Sequence, residues 1–203
     1  SRYKARLYAP KIILLPTGIS TNLFNVMKAI IPVAGIGSKL RPHTHTQPKA
    51  LVPVAGKPIL SHIVDKLVTT GVTDFIFIIG YLGDKIEEYI KSNYPSLKTS
   101  FVLQDPREGT GQAVWLTKDL VNPNEEVIIT LGDTIFDIDL KDVINSSGSL
   151  LGVKKVLDPR NFGVAELDEA GIIRHVVEKP PIPKSNLALV GIYKIKETKQ
   201  LYE

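Results

Sequence analysis

The chain contains no cysteine, which excludes disulfide staples and thiolate metal sites. It has no apolar run approaching the ~20 residues that cross a bilayer. The apolar cluster at 12–15 is broken by Pro10 and Pro16 and is too short for a secretion-signal core. These absences predict a soluble, cytoplasmic protein with no membrane partner.

An excess of positive charge is missing too, once its location is considered. The formal net charge is +4, but residues 1–26 carry Arg2, Lys4, Arg6 and Lys11 and no acid. Removing those four from the 25 basic residues leaves 21, against 21 acids. A nucleic-acid binder would carry a basic face on its folded body, so no nucleic-acid partner is expected. The only methionine, Met27, stands directly before the first core strand. Residues 1–26 are therefore expected to be an upstream extension or cloning remnant, and 27–203 the folded core.

What is present is an alternation of strand and helix patterns, the signature of a parallel sheet in an α/β domain. Apolar runs at 28–33, 74–79, 99–103 and 127–131 read as strands. A helix following Pro58 carries Ile59, Leu60, Ile63, Val64, Leu67 and Val68 at helical spacing and stops at Gly71. Further helices are expected at 84–91 and 109–120. Segments 150–156, 162–167, 172–177 and 188–195 are strand-like with little helix between them, so the second half should form a mixed sheet. Residues 196–203 look like the start of another helix. The expected fold is a Rossmann-like three-layer sandwich with a mostly parallel mixed sheet.

The most informative stretch is 28–60. A buried-strand pattern runs into a small-residue turn at Ala34, Gly35 and Gly37, and cations follow at Lys39, Arg41 and Lys49. Glycines let backbone N–H groups approach an anion closely, and the cations add full charge. This is a phosphate cradle, yet neither common type fits. The dinucleotide fingerprint fails because Leu40 occupies its third glycine position, and no Walker A spacing exists.

The stretch resembles the opening of the sugar nucleotidyltransferases, the pyrophosphorylases that make nucleotide sugars. It reads Ala34-Gly35-Ile36-Gly37-Ser38-Lys39-Leu40-Arg41-Pro42-His43-Thr44, then Pro48-Lys49-Ala50-Leu51-Val52-Pro53-Val54, then Lys57-Pro58. Lys39 stands where that family has arginine, keeping the charge but losing the planar two-pronged contact with phosphate. Later pieces follow in family order: Gln104 and Gly109, Gly132-Asp133, Phe162-Gly163-Val164, Glu178-Lys179-Pro180 and Ser185 to Tyr193.

The resemblance implies an α/β nucleotidyl transfer enzyme whose substrates are a nucleoside triphosphate and a sugar-1-phosphate. It implies UTP or dTTP with glucose-1-phosphate, pyrophosphate as leaving group, and Mg²⁺ as cofactor. The attacking oxygen is already anionic near neutral pH, so positioning and fixed positive charge should carry catalysis. Lys39, Lys49 and Asp133 are the implied catalytic residues, with Asp133 also the metal ligand. The nucleotide would lie on Ala34, Gly35, Ile36, Gly37 and Ser38, with its base at Gln104, Gly109 and Thr110. The sugar phosphate would be held by Gly163, Glu178, Lys179 and Val190.

Family members generally continue past this point with a second metal-binding aspartate, so a C-terminally truncated core is expected. His43 and His45 form an H-x-H without a third ligand nearby, and Asp137 and Asp139 are read as cap and surface residues. Trp115 is expected in the core or at a subunit contact of a homo-oligomer. The alternative is a non-catalytic nucleotide-binding regulatory subunit of the same fold. A dinucleotide-dependent dehydrogenase is disfavoured by Leu40.

Overall fold

A computed structural model describes residues 27–203 in full and the backbone of residues 11–14. Apart from those four residues, the segment expected to be an upstream extension lies outside the described residues. In chain order the strands are β1 (Lys11–Leu14), β2 (Lys28–Pro32), a short hairpin of β3 (Pro53–Val54) and β4 (Lys57–Pro58), then β5 (Asp74–Ile79), β6 (Lys98–Leu103) and β7 (Val127–Thr130). They continue with β8 (Leu150–Lys155), β9 (Gly163–Leu167), β10 (Ile173–Glu178) and β11 (Leu187–Ile195). Five helices are described: α1 (Ile59–Val68), α2 (Gly83–Asn93), α3 (Thr110–Trp115), α4 (Leu140–Ile144) and α5 (Thr198–Leu201).

Nine of the strands form one sheet in the order β1-β8-β11-β7-β2-β5-β6, with β9 beside β11 and β10 beside β9. The strands β7, β2, β5 and β6 are mutually parallel, whereas β11, β8 and β1 add antiparallel pairings. The two halves have different chemistry because their connections differ. Parallel neighbours need crossover segments, here containing α1, α2 and α3, while the antiparallel half needs none and joins β9 to β10 as a hairpin.

The central strands are apolar along most of their length, Lys28, Asp74 and Thr130 standing at their ends, because both faces are covered. Ala29, Ile31, Phe75, Phe77 and Ile128 pack on α1, α2 and α4, through Leu60, Ile63, Val64, Leu67, Ile86, Ile90, Leu140 and Val143. Ile30, Ile76, Ile78, Val127 and Ile129 face the opposite layer with Ala113, Val114 and Val121. This is the three-layer sandwich expected. Each such aliphatic side chain contributes about 1.5–3 kcal/mol when taken from water.

The helix expected over 109–120 is shorter than its apolar pattern suggested. The helix α3 stops at Trp115, and after a turn Lys118–Leu120 forms a separate 3₁₀ segment. Thr117 is fully buried there, its hydroxyl bonded to Val114 O and to Tyr202 Oη at 2.8 Å. Trp115 is 46% exposed rather than core, with Lys118 Nζ lying 3.8 Å from its ring centroid. The short α4 was not legible, although its N-cap was: Asp139 accepts from Lys141 N at 2.9 Å. Asp137 is at the surface near Lys66.

Reversal of strand order between β2 and β7 opens a crevice at their carboxyl ends, where open α/β sheets place ligands. Close approach of the two strands there depends on Gly132. A Cβ at this position would stand 2.3 Å from Val33 Cγ1 and 2.9 Å from Pro32 O. The substitution Gly132→Ala is therefore expected to destabilise the protein by about 1–3 kcal/mol, as overpacked cores do. Thermal unfolding checks it, and an unchanged midpoint would sink the argument.

Candidate active site

A cleft of 690 Å³ occupies this crevice. Its floor is the last residue of β2 with the two that follow (Pro32, Val33, Ala34) and the residues following β7 (Leu131, Gly132, Asp133). One wall is the turn holding Gly35, Gly37, Ser38 and Lys39, and Lys49 adjoins it. The other wall carries Gln104, Arg107, Gly109 and Thr110. Residues separated by about one hundred positions thus meet in one concavity. Of the residues expected to hold nucleotide, Ile36 alone is not part of the lining.

The cradle turn has a defined physical basis. Gly37 takes φ 66°, and a Cβ there would lie 2.9 Å from Lys49 Cβ and 3.0 Å from Thr44 Cγ2. Only glycine combines that left-handed backbone with that close approach. The buried Thr44 hydroxyl donates to Gly37 O at 2.9 Å, fixing the turn from beneath. Thr44 was legible only as part of a motif. Its buttressing role needed the contact.

Lys49 opens a 3₁₀ turn, Lys49–Leu51, after Pro48, with Leu51 and Val52 N–H groups closing it onto Pro48 O and Lys49 O. This points its ammonium across the cleft, where it forms an ion pair with Asp133 Oδ2. Both side chains stay partly open to solvent, at 33% and 44% exposure. Asp133 stands three residues beyond the end of β7, with Gly132 N–H held by Pro32 O at 3.2 Å. A flexible cation and a carboxylate are thus offered together to an incoming ligand.

Gln104 is 7% exposed and follows β6, its N–H held by Ile79 O at 2.8 Å. Its side-chain Nε2 donates to Gly109 O at 2.9 Å and to Gln112 Oε1 at 2.7 Å. Arg107, between them in sequence, brings a further cation that motif reading missed. Its only sequence signal was a position inside the Gln104–Gly109 interval.

The residues expected to hold the sugar phosphate lie beside this cleft and are not among its lining. Gly163 and Glu178 are cross-strand partners on β9 and β10. Lys179 follows with φ 44°, its N–H donating to Phe162 O at 3.0 Å and its ammonium 3.1 Å from Glu178. Val190 sits where β11 slips register against β8, and Leu131 N–H donates to the adjacent Gly191 O at 2.9 Å. That bond ties the β9–β11 group to the strand end that carries Asp133. Burial first, and then the Glu178 carboxylate, push the Tyr193 phenol up from its ordinary value.

His43 and His45 lie in a 3₁₀ turn, and among the described residues no cluster of three His, Cys, Asp or Glu could hold a metal. No described helix is long and apolar enough to cross a membrane.

Known proteins define a class for this arrangement. The chain is 44% identical over 177 residues to the Bifunctional protein GlmU of Methanocaldococcus jannaschii, covering 87% of this chain and 41% of that protein. It is 35% identical over 173 residues to a glucose-1-phosphate thymidylyltransferase of Streptomyces griseus, covering 82% and 48%. A solved UDP-glucose pyrophosphorylase complexed with UDP-glucose superposes with a TM-score of 0.74 at 25% identity, covering 84% of this chain and 76% of that one. The chain therefore spans somewhat less than half the length of these two curated relatives. Residues 28–199 match the Nucleotidyl transferase family, and the chain belongs to it.

Proposed function

We propose that this chain carries the catalytic core, residues 27–203, of a sugar-1-phosphate nucleotidyltransferase. An oxygen of the sugar phosphate attacks the α-phosphorus of a nucleoside triphosphate. The new P–O bond forms as the bond to the β-phosphate bridge breaks, and pyrophosphate leaves with that electron pair. The observation that carries this reading is the meeting of Lys49 and Asp133 across a cleft that also holds a glycine cradle and Gln104. The named activities of the relatives support it.

The attacking group is an anion, so the chain need only align two polyanions and offset their repulsion. Lys39, Arg107 and Lys49 supply cations around the cleft, with the cradle backbone between them. Asp133 fits Mg²⁺, which commonly takes one or two protein carboxylates and completes its shell with phosphate oxygens and water. Bound there, the ion would neutralise charge on the triphosphate and polarise the reacting phosphoryl group. Glu178 and Lys179 would hold sugar hydroxyls and the sugar's phosphate, Gly163 and Val190 framing the ring. UTP or dTTP and glucose-1-phosphate are the expected pair, and a cytoplasmic setting suits such substrates.

Pyrophosphate release across a panel of nucleoside triphosphates and sugar-1-phosphates, with and without Mg²⁺, tests the proposal. Turnover restricted to one pairing and dependent on the ion is expected. Nucleotide binding without turnover on any pairing would instead favour a regulatory subunit. The variant Lys49→Ala should lower kcat/KM by about 10²-fold, the loss typical of removing one group that stabilises developing charge. Steady-state kinetics would show it, and a change below threefold would remove Lys49 from the mechanism.

A further inference from the structure

Gln112 lies on α3, outside the cleft lining, yet it is bonded to the one buried amide that the cleft exposes. Its Nε2 donates to Pro106 O at 3.3 Å. A backbone carbonyl can only accept, so Pro106 decides which end of the Gln112 amide is nitrogen. Gln112 must then turn its oxygen to Gln104, and Gln104 must turn its nitrogen to Gln112. The carbonyl of Gly109 demands the same orientation of Gln104. The direction of both amides thus follows from acceptors that cannot reverse, not from a choice between two equal rotamers.

This chain of bonds has a consequence for the cleft. Both amide hydrogens of Gln104 are used inside the protein, so its side chain offers a ligand only the acceptor Oε1. Reversing it would set oxygen against oxygen at both Gly109 and Gln112, in a nearly buried position where an unmet polar group costs most.

We infer that Gln112 is a positioning residue for base selection, which acts by holding Gln104 as an acceptor-only group. Such a site takes a base whose Watson–Crick-edge ring nitrogen carries a hydrogen and rejects one whose ring nitrogen is bare. Uracil and thymine carry that hydrogen at N3, whereas cytosine N3 and adenine N1 are themselves acceptors. The inference rests on the proposal that the cleft holds a nucleoside triphosphate. Gln112 touches no substrate and works only through Gln104.

Calorimetric titration of the 203-residue chain with UTP and CTP tests this, using Gln112→Leu, Gln104→Leu and the double variant. The wild-type chain should prefer UTP. Gln112→Leu should lower the UTP-over-CTP ratio of affinities about fivefold, the worth of one internal hydrogen bond. In the Gln104→Leu background the same change should leave the ratio where it is. An unaltered ratio in Gln112→Leu, with UTP binding retained, would overturn this inference alone. An equal effect in both backgrounds would overturn it too, by showing a merely structural role. Failure of the wild-type chain to bind either nucleotide would overturn the nucleotide reading of the cleft, and this inference with it.

Discussion

The variant Asp133→Asn is expected to slow pyrophosphate release by about 10³-fold while leaving nucleotide affinity within a few-fold of wild type. Removing one preorganised charge from a reacting centre costs about 10²–10³ in rate, and here two effects combine. The amide keeps the shape of the carboxylate but is a far weaker ligand for Mg²⁺, a hard cation that prefers charged oxygen. It also removes the partner of Lys49. Freed from that pair, Lys49 can turn wholly to the triphosphate, so binding should not fall with the rate. A Mg²⁺ titration separates this from a purely structural role. The concentration of ion giving half-maximal rate should rise sharply in Asp133→Asn and stay unchanged in Lys49→Ala. A rate within tenfold of wild type, in protein of unchanged melting temperature, would exclude Asp133 as the metal ligand.

The placing of the cleft residues was open to reading from sequence, and the reasons are local. The strand at 28–33 is apolar at nearly every position because both faces of β2 are buried, so its carboxyl end, and the turn beyond, could be located from the run alone. Asp133 could be found the same way from the run at 127–131. Gln104 and Gly109 were placed by the family resemblance, whose five-residue spacing they match, and that spacing spans a single hydrogen bond. What stayed hidden depends on partners distant in sequence or on one side chain's direction. Nothing in Gln112 distinguishes a solvent-facing helix residue from one that holds another amide. The pattern at 109–120 fits one helix, and only the buried Thr117, bonded to Tyr202 eighty-five positions away, marks where it breaks. Trp115 misleads for the opposite reason. Its size argues for the core, while its position on the short α3 turns it outward.

Lys194 is the clearest case of a residue whose weight sequence conceals, and Lys194→Ala should be the most destabilising substitution outside the site. Within the β11 pattern it looks like an alternate, solvent-facing lysine. Instead its side chain is 1% exposed, and its ammonium lies 2.9 Å from Glu126 Oε2, itself 9% exposed. The same ammonium donates to Ile144 O at 2.9 Å and to Ser146 O, which pins the end of α4 and the turn that follows to the sheet. Truncation would strand the Glu126 carboxylate without its cation and leave two carbonyls short of a donor. Breaking one side of a buried pair in this way costs about 3–5 kcal/mol. For a domain of this size each kcal/mol moves the melting temperature by about 2–4 °C, so a fall near 10 °C is expected. The companion variant Lys194→Met with Glu126→Leu removes both charges and fills the space. It should recover most of the loss, because desolvating the pair offsets much of its attraction. Equal melting temperatures for the single and double variants would show that the carbonyl contacts, not the stranded carboxylate, carry the cost. A single variant as stable as wild type would mean that β11 holds its place against β7 and β8 by strand pairing and packing alone.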